Sequence, residues 1–289
     1  IVGSSPGGGV DRTARLFAQK LTDYFHQPVV VETRAGAGTR LAGDVVSKAA
    51  ADGLTLLFTT GESTIDLAFD PRATPNILQD FAPVSLIAIC QMLLVVNAAT
   101  PVHSVQELLA RSRAAPGKLN YSTAGVKTTM HLVGALFAMR TGADIVHIPY
   151  KGTVPALSAL VARDVDMTYT SLPSALPFVE AGKLRALAVA GNVRSPLMPD
   201  IPTMAQSGVE GVEANIWYGL LAPAGTPTEI VETISRAVRE VSRAPDYQQN
   251  LAAMGVEPAP TTPAAFADLL RDEVAKYAAV IKAAGIRAE

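Results

Sequence analysis

Short β-branched runs alternate along this chain with apolar stripes at helical spacing, and that alternation leaves few architectures open. Residues 29–32, 54–59, 93–96, 145–147, 165–170 and 184–189 read as strands. Between them, Val10, Ala14, Phe17, Ala18, Leu21 and Phe25 recur as one buried helical stripe. An all-β sandwich has no place for such stripes, so the chain reads as α/β. The near-continuous apolar run at 184–189 predicts strands buried on both faces and mainly parallel. Ser104-Val-Gln-Glu107 and Thr226-Pro-Thr-Glu229 match the capping box and predict helix starts. After Thr226, Ile230, Ile234, Val238 and Val241 share a face; after Pro263, Phe266, Leu270, Val274, Tyr277 and Ile281 do the same.

Composition narrows the partners. The 289 residues correspond to about two domains at roughly 150 residues each. Hydrophobic residues make up 49% and charged ones 17%, which supplies packed cores and argues against disorder. With 24 basic and 26 acidic side chains, the net charge is -2, and no run of Lys and Arg exists to track a nucleic-acid backbone. The longest apolar stretch, 84–96, is interrupted by Ser85 and Gln91 and falls short of the about 20 residues a membrane span needs. The chain therefore reads as soluble and globular. Its single cysteine, Cys90, excludes an internal disulfide and sits in an apolar segment as a small buried hydrophobe. The chain opens Ile1-Val2-Gly3 without a Met or an export signal, which reads as a trimmed, mature form.

Three glycine-bearing loops precede helices. They are Ser4-Ser-Pro6-Gly7-Gly8-Gly9-Val-Asp11-Arg12, Arg34-Ala-Gly36-Ala-Gly38-Thr39 and Tyr121-Ser122-Thr123-Ala-Gly125-Val-Lys-Thr128-Thr129. Glycine lets the backbone approach a ligand closely, and a helix start offers unpaired N–H groups and a positive dipole end. Several such ends would hold a carboxylate or phosphate. The plain alternative is three ordinary strand-to-helix connections.

Enzyme signatures are weak. Gly7 to Gly9 with Glu32 gives a partial dinucleotide fingerprint for an NAD(P)-dependent oxidoreductase, but Arg12 stands where the third glycine belongs. No Walker loop occurs, and Gly61-Glu-Ser63-Thr64-Ile65 lacks the second glycine of a nucleophile elbow. His26, His103, His131 and His147 show no metal-ligand spacing, and His131 reads as a local hydrogen-bonding residue. Asp164 and Asp166 flank one strand residue as a catalytic pair could, but that spacing reads equally as a turn followed by a strand edge. No catalytic residue, cofactor or metal is expected.

Taken together, Pro6 to Arg12, Gly36-Ala-Gly38, Tyr121 to Gly125 with His131, Pro149-Tyr150-Lys151-Gly152, Gly182 to Val189, Arg194-Ser-Pro and Pro199-Asp-Ile-Pro-Thr203 stand in an order that is similar to one family. The chain resembles the extracytoplasmic solute receptors of tripartite tricarboxylate transporters, the Bug family, from Val2 to about Gly285. The resemblance implies a two-lobe, type II Venus-flytrap periplasmic binding protein with two crossover strands. Residues 1–97 plus 222–289 would form lobe one and 98–221 lobe two, with linkers at 97–101 and 222–225. It implies a monomeric, non-enzymatic, periplasmic receptor. Such a receptor takes a small carboxylate, whether a di- or tricarboxylate, an acidic amino acid or an aromatic acid, and passes it to membrane permease subunits. A sensory module reporting to a kinase is the alternative use of the same pocket.

Carried over by position, the resemblance assigns Pro6, Gly7, Gly8, Gly9 and Asp11, then Gly61, Ser63 and Thr64, to lobe one of the binding site. Asp11 reads better as a helix cap, since a carboxylate repels an anion. Lobe two would supply Ser122, Thr123, Gly125, Thr128, Thr129, Tyr150, Lys151 and Gly152, with Lys151 equally a surface charge. Thr170-Ser171 stands before Leu172-Pro-Ser174 where many relatives carry Asp-Asn. The lost negative charge would suit a second ligand carboxylate or an uncharged distal group.

Overall fold

The computed structural model describes residues 1–4, 7, 9–34 and 39–286. The chain forms two compact units, 1–89 with 217–278 and 90–216 with 279–289. In unit 1, α1 (Gly9–Phe25) buries Ala14, Phe17, Ala18 and Leu21, the core of the expected stripe. The helices α2 (Arg40–Ser47) and α3 (Glu62–Phe69) flank β1 (Leu57–Thr60), which pairs antiparallel with β7 (Asn215–Pro223). The long strand β2 (Phe81–Asn97) starts in unit 1 and ends in unit 2. The C-terminal α8 (Thr228–Val241), α9 (Pro245–Ala253), β8 (Val256–Pro258) and most of α10 (Pro263–Ala283), whose end from Ala279 belongs to unit 2, complete the set. Ala42, Val46, Leu57, Leu86, Trp217, Phe266 and Leu270 pack into one apolar core.

Unit 2 holds α4 (Val105–Ala114), β3 (Leu119–Thr123), α5 (Thr129–Thr141), β4 (Ile145–Pro149), α6 (Thr153–Ala162), β5 (Met167–Ser171), α7 (Leu172–Glu180) and β6 (Leu184–Val189). Both β4 and β5 lie parallel to β3, one on each side. The end of β2 runs antiparallel to β5 and to β6. Alternation along β2 sends Met92, Leu94 and Val96 to one face, covered by α4 and α5, and Leu93 and Val95 to the other, under α6 and α7. A bulge between Leu94 and Val95 shifts the β6 register, so Ala186 and Ala188 fall on opposite faces.

Several expectations need correction. Residues 29–32 form no strand; only a parallel bridge joins Val2 to Thr33. The sheet is mixed, and the apolar 184–189 run is antiparallel to its partner β2. Burial on both faces, rather than strand direction, made it continuously apolar. Ser104 caps α4 by accepting from the Glu107 amide at 3.1 Å, while Glu107 accepts from the His103 amide at 2.6 Å. The second capping box does not form: α8 begins at Thr228, and Thr226 Oγ1 donates to Pro223 O at 2.8 Å. Cys90 is buried.

Candidate functional site

In unit 2, β3, β4 and β5 point the same way, so α5, α6 and α7 all start at the carboxyl edge of these strands. Strand order reverses at β3, because β4 leaves on one side and β5 returns on the other. Helix α5 covers one face of the sheet and α6 the other. The loops that lead to them therefore diverge, the arrangement that opens a ligand crevice in α/β sheets.

The two loops are joined by backbone bonds: Tyr150 N donates to Thr123 O at 3.0 Å, and Gly152 N to Ala124 O at 3.1 Å. Gly125 and Gly152 have φ of 139° and 118°, a region open at low cost only to glycine. Thr128 is the N-cap of α5; its Oγ1 accepts from His131 N at 3.3 Å and donates to Gly125 O at 2.8 Å. That cap serves the third amide of the helix, and the first-turn amides of Thr129 and Met130 lie ahead of any intrahelical acceptor. The N-cap of α6 is Gly152, with no side-chain cap, and that of α7 is Ser171, whose Oγ contacts Ser174 Oγ at 2.7 Å.

Charge is distributed to match. Segments 121–131, 147–155 and 168–176 contain Lys127 and Lys151 and no Asp or Glu. The acids Asp144 and Asp166 sit instead at the amino ends of β4 and β5, where Asn120 and Asp166 exchange two 3.0 Å bonds. Helix starts in segments that carry no acid of their own make the carboxyl edge receptive to an anion.

Not every expected hydroxyl is free to meet one. Ser122 is fully buried, and its Oγ donates to Ala156 O at 3.1 Å. Thr123 is buried too; its Oγ1 accepts from Gly125 N at 3.2 Å and lies 3.0 Å from Gly125 O and 2.7 Å from His147 Nε2. Thr170 is fully buried, and its Oγ1 has no partner among the described residues. Lys151 is exposed and Tyr150 half-buried.

Sequence reading missed the histidine pair. His131 and His147 stack with centroids 3.9 Å apart and planes 10° from parallel. Burial pushes His131 down, and burial plus the neighbouring His131 pushes His147 down to about 4. Both rings are therefore neutral near pH 7. Among the described residues, no cluster of three or more metal-ligating side chains occurs.

The unit 1 residues form their own set. Pro6 and Gly8 lie outside the described residues. Asp11 is buried and accepts from Gly7 N at 2.9 Å and Arg15 Nε at 3.0 Å. The Arg15 bond, helped by the Gly7 amide and opposed by burial, holds its carboxyl below the usual range. A carboxylate so engaged at the start of α1 serves the loop. Gly9 opens α1 and Gly61 precedes α3. Ser63 Oγ lies 2.9 Å from Thr59 Oγ1; the fully buried Thr64 hydroxyl sits 2.7 Å from Gly61 O and 2.9 Å from Glu273 Oε2. The same Glu273 oxygen accepts from Trp217 Nε1 at 2.6 Å.

The family model described as tripartite tricarboxylate transporter family receptor matches residues 13–286. Protein BugT of Bordetella pertussis is 35% identical over 99% of this chain and 89% of its own length. A UPF0065 protein from the tcbD-tcbE intergenic region of Pseudomonas sp. is 37% identical over 97% of this chain and 84% of its own. Among solved structures, R. palustris Rpa4515 with adipate has a TM-score of 0.85 and 34% identity, covering 99% of this chain and 96% of that one. MatC from Rhodopseudomonas palustris with bound malate has a TM-score of 0.80 and 30% identity, covering 97% of each chain. The fold is that of the periplasmic binding proteins, and the protein belongs to the tripartite tricarboxylate transporter receptor family.

Proposed function

We propose that this protein is an extracytoplasmic receptor that captures a small organic dicarboxylate. The observation that carries the reading is the carboxyl edge of β3, β4 and β5, where three helices start in segments that contain no acid. Its family comprises solute receptors rather than enzymes. Two structures similar to it were solved with dicarboxylates, adipate and malate, which supports that ligand class. In this reading one ligand carboxylate accepts from amides of the 124–129 and 150–153 loops other than those of Gly125, Tyr150 and Gly152, which are engaged within the protein. Thr128, whose hydroxyl proton is committed to Gly125 O, and the fully buried Thr170 shape the loops rather than touch the ligand, and Lys151 supplies long-range attraction. Gly7, Gly9, Gly61 and Ser63 are a second proposed set, in unit 1. Thr64, through its hydroxyl, and Asp11, through Oδ2, are engaged within the protein and support these loops. The family supports a role outside the cytoplasm, with delivery to membrane permease subunits.

The test is a thermal-shift panel of mono-, di- and tricarboxylates, acidic amino acids and aromatic acids. A ligand that binds only the folded state at 100 times its Kd stabilises it by about 2.7 kcal/mol. A rise in the unfolding midpoint with malate, adipate or a close analogue is expected. No shift with any member of the panel at millimolar concentration would refute the receptor reading.

A further inference from the structure

The loop at the start of α5 is held by a closed circuit of contacts. From β4, His147 Nε2 lies 2.7 Å from Thr123 Oγ1 at the end of β3. The Thr123 hydroxyl holds Gly125 through its amide at 3.2 Å and its carbonyl at 3.0 Å. The Gly125 carbonyl accepts from Thr128 Oγ1 at 2.8 Å, and that oxygen caps His131 N at 3.3 Å. The His131 ring then stacks back on His147 at 3.9 Å, which closes the circuit. Tyr121 braces it from β3, its ring 5.1 Å from His147 and its hydroxyl donating to His131 O at 3.3 Å.

Proton counting shows why the histidine matters. Thr123 Oγ1 has one proton and three neighbours: the Gly125 amide, the Gly125 carbonyl and His147. When His147 carries its proton on Nε2, it donates to Thr123 and leaves the hydroxyl proton for Gly125 O. The ε-tautomer thus satisfies both bonds to Gly125 at once. Without that donor both bonds to Gly125 can still form, but the Thr123 side chain loses the contact that ties it, and the loop it holds, to β4. Gly125 sits at φ 139°, and a glycine there has wide backbone freedom once released.

We infer that His147 is a positioning residue for the proposed carboxylate site, acting through Thr123 to fix the 123–128 loop before a ligand arrives. The inference rests on the carboxylate-receptor reading. His147 touches no ligand in this account. Its effect on affinity comes from ordering the loop in advance, since a loop that must be ordered on binding weakens the complex.

Three variants separate the parts of the circuit. His147→Phe keeps a ring on His131 but loses the bond to Thr123. Thr123→Val removes the hydroxyl at nearly constant volume. His147→Gln keeps a donor near the Nε2 position and loses the stack. Malate and adipate titrations by calorimetry should show about tenfold weaker binding for His147→Phe and for Thr123→Val. The double variant should be no weaker than either single, and His147→Gln should recover most of the loss. Hydrogen exchange of ligand-free protein should be faster at 124–131 in the first two variants and near native in His147→Gln. Additive losses in the double variant, affinities within twofold of the native protein, or unchanged exchange at 124–131 would overturn the inference. If the native protein binds neither dicarboxylate, the receptor reading fails for these ligands, and the exchange measurement still decides whether His147 orders the loop.

Discussion

At the scale of single residues, buried polar groups do most of the specifying. His147 is pushed down to about 4 by burial and by His131, against an ordinary value of about 6.5. A histidine with a lowered folded-state value binds protons more readily when unfolded. Its contribution to stability is therefore present above about 6.5 and is lost as pH falls toward about 4. Urea midpoints between pH 7 and pH 4 should fall for the native protein and fall less for His147→Phe. Glu273 behaves in the opposite sense: burial raises it, against bonds from Trp217 and Thr64. A raised carboxyl favours the fold below its unfolded value, and that benefit disappears as pH rises through the folded one. Glu273→Gln keeps an acceptor for Trp217 Nε1, so its unfolding midpoint should exceed the native one at pH 8 and match it near pH 4. Thr170→Val removes a buried hydroxyl with no partner among the described residues. In ligand-free protein it should leave stability unchanged or raise it by about 1 kcal/mol, read from urea denaturation.

At the scale of elements, periodicity was informative where one face of a segment is buried. The α1 stripe was legible because Ala14, Phe17 and Leu21 face the core together. Helix α5 was less so, since apolar residues surround it and Met139 is exposed. Its register depends instead on close approach. A Cβ at Gly134 would stand 2.1 Å from Tyr121 Cε2, and that ring is buried. Gly134→Ala should thus cost about 1–3 kcal/mol by overpacking, measured by urea denaturation, and weaken dicarboxylate binding by displacing Tyr121 from His147. Thr128→Ala removes the α5 cap and should cost about 1 kcal/mol. The glycine loops were legible as loops because Gly before a helical stripe is a local signal. The His131–His147 stack was not, because it depends on the parallel register that sets Tyr121 beside His147, and nothing local fixes that pairing.

At the scale of the whole molecule, a net charge of -2 does not oppose an anion receptor. What counts is where the charges lie: Asp144 and Asp166 at the amino ends of β4 and β5, helix starts and lysines at the carboxyl ends. Strand order could not be read from the sequence, since β4 and β5 are separated in the sheet by β3, which precedes both. The central claim is that this carboxyl edge receives a ligand carboxylate. A crystal structure of the protein grown with malate or adipate tests it most directly. The account predicts carboxylate oxygens within hydrogen-bond distance of backbone amides in 124–129 or 150–153. A dicarboxylate bound elsewhere, with those amides making no contact to it, would contradict the account.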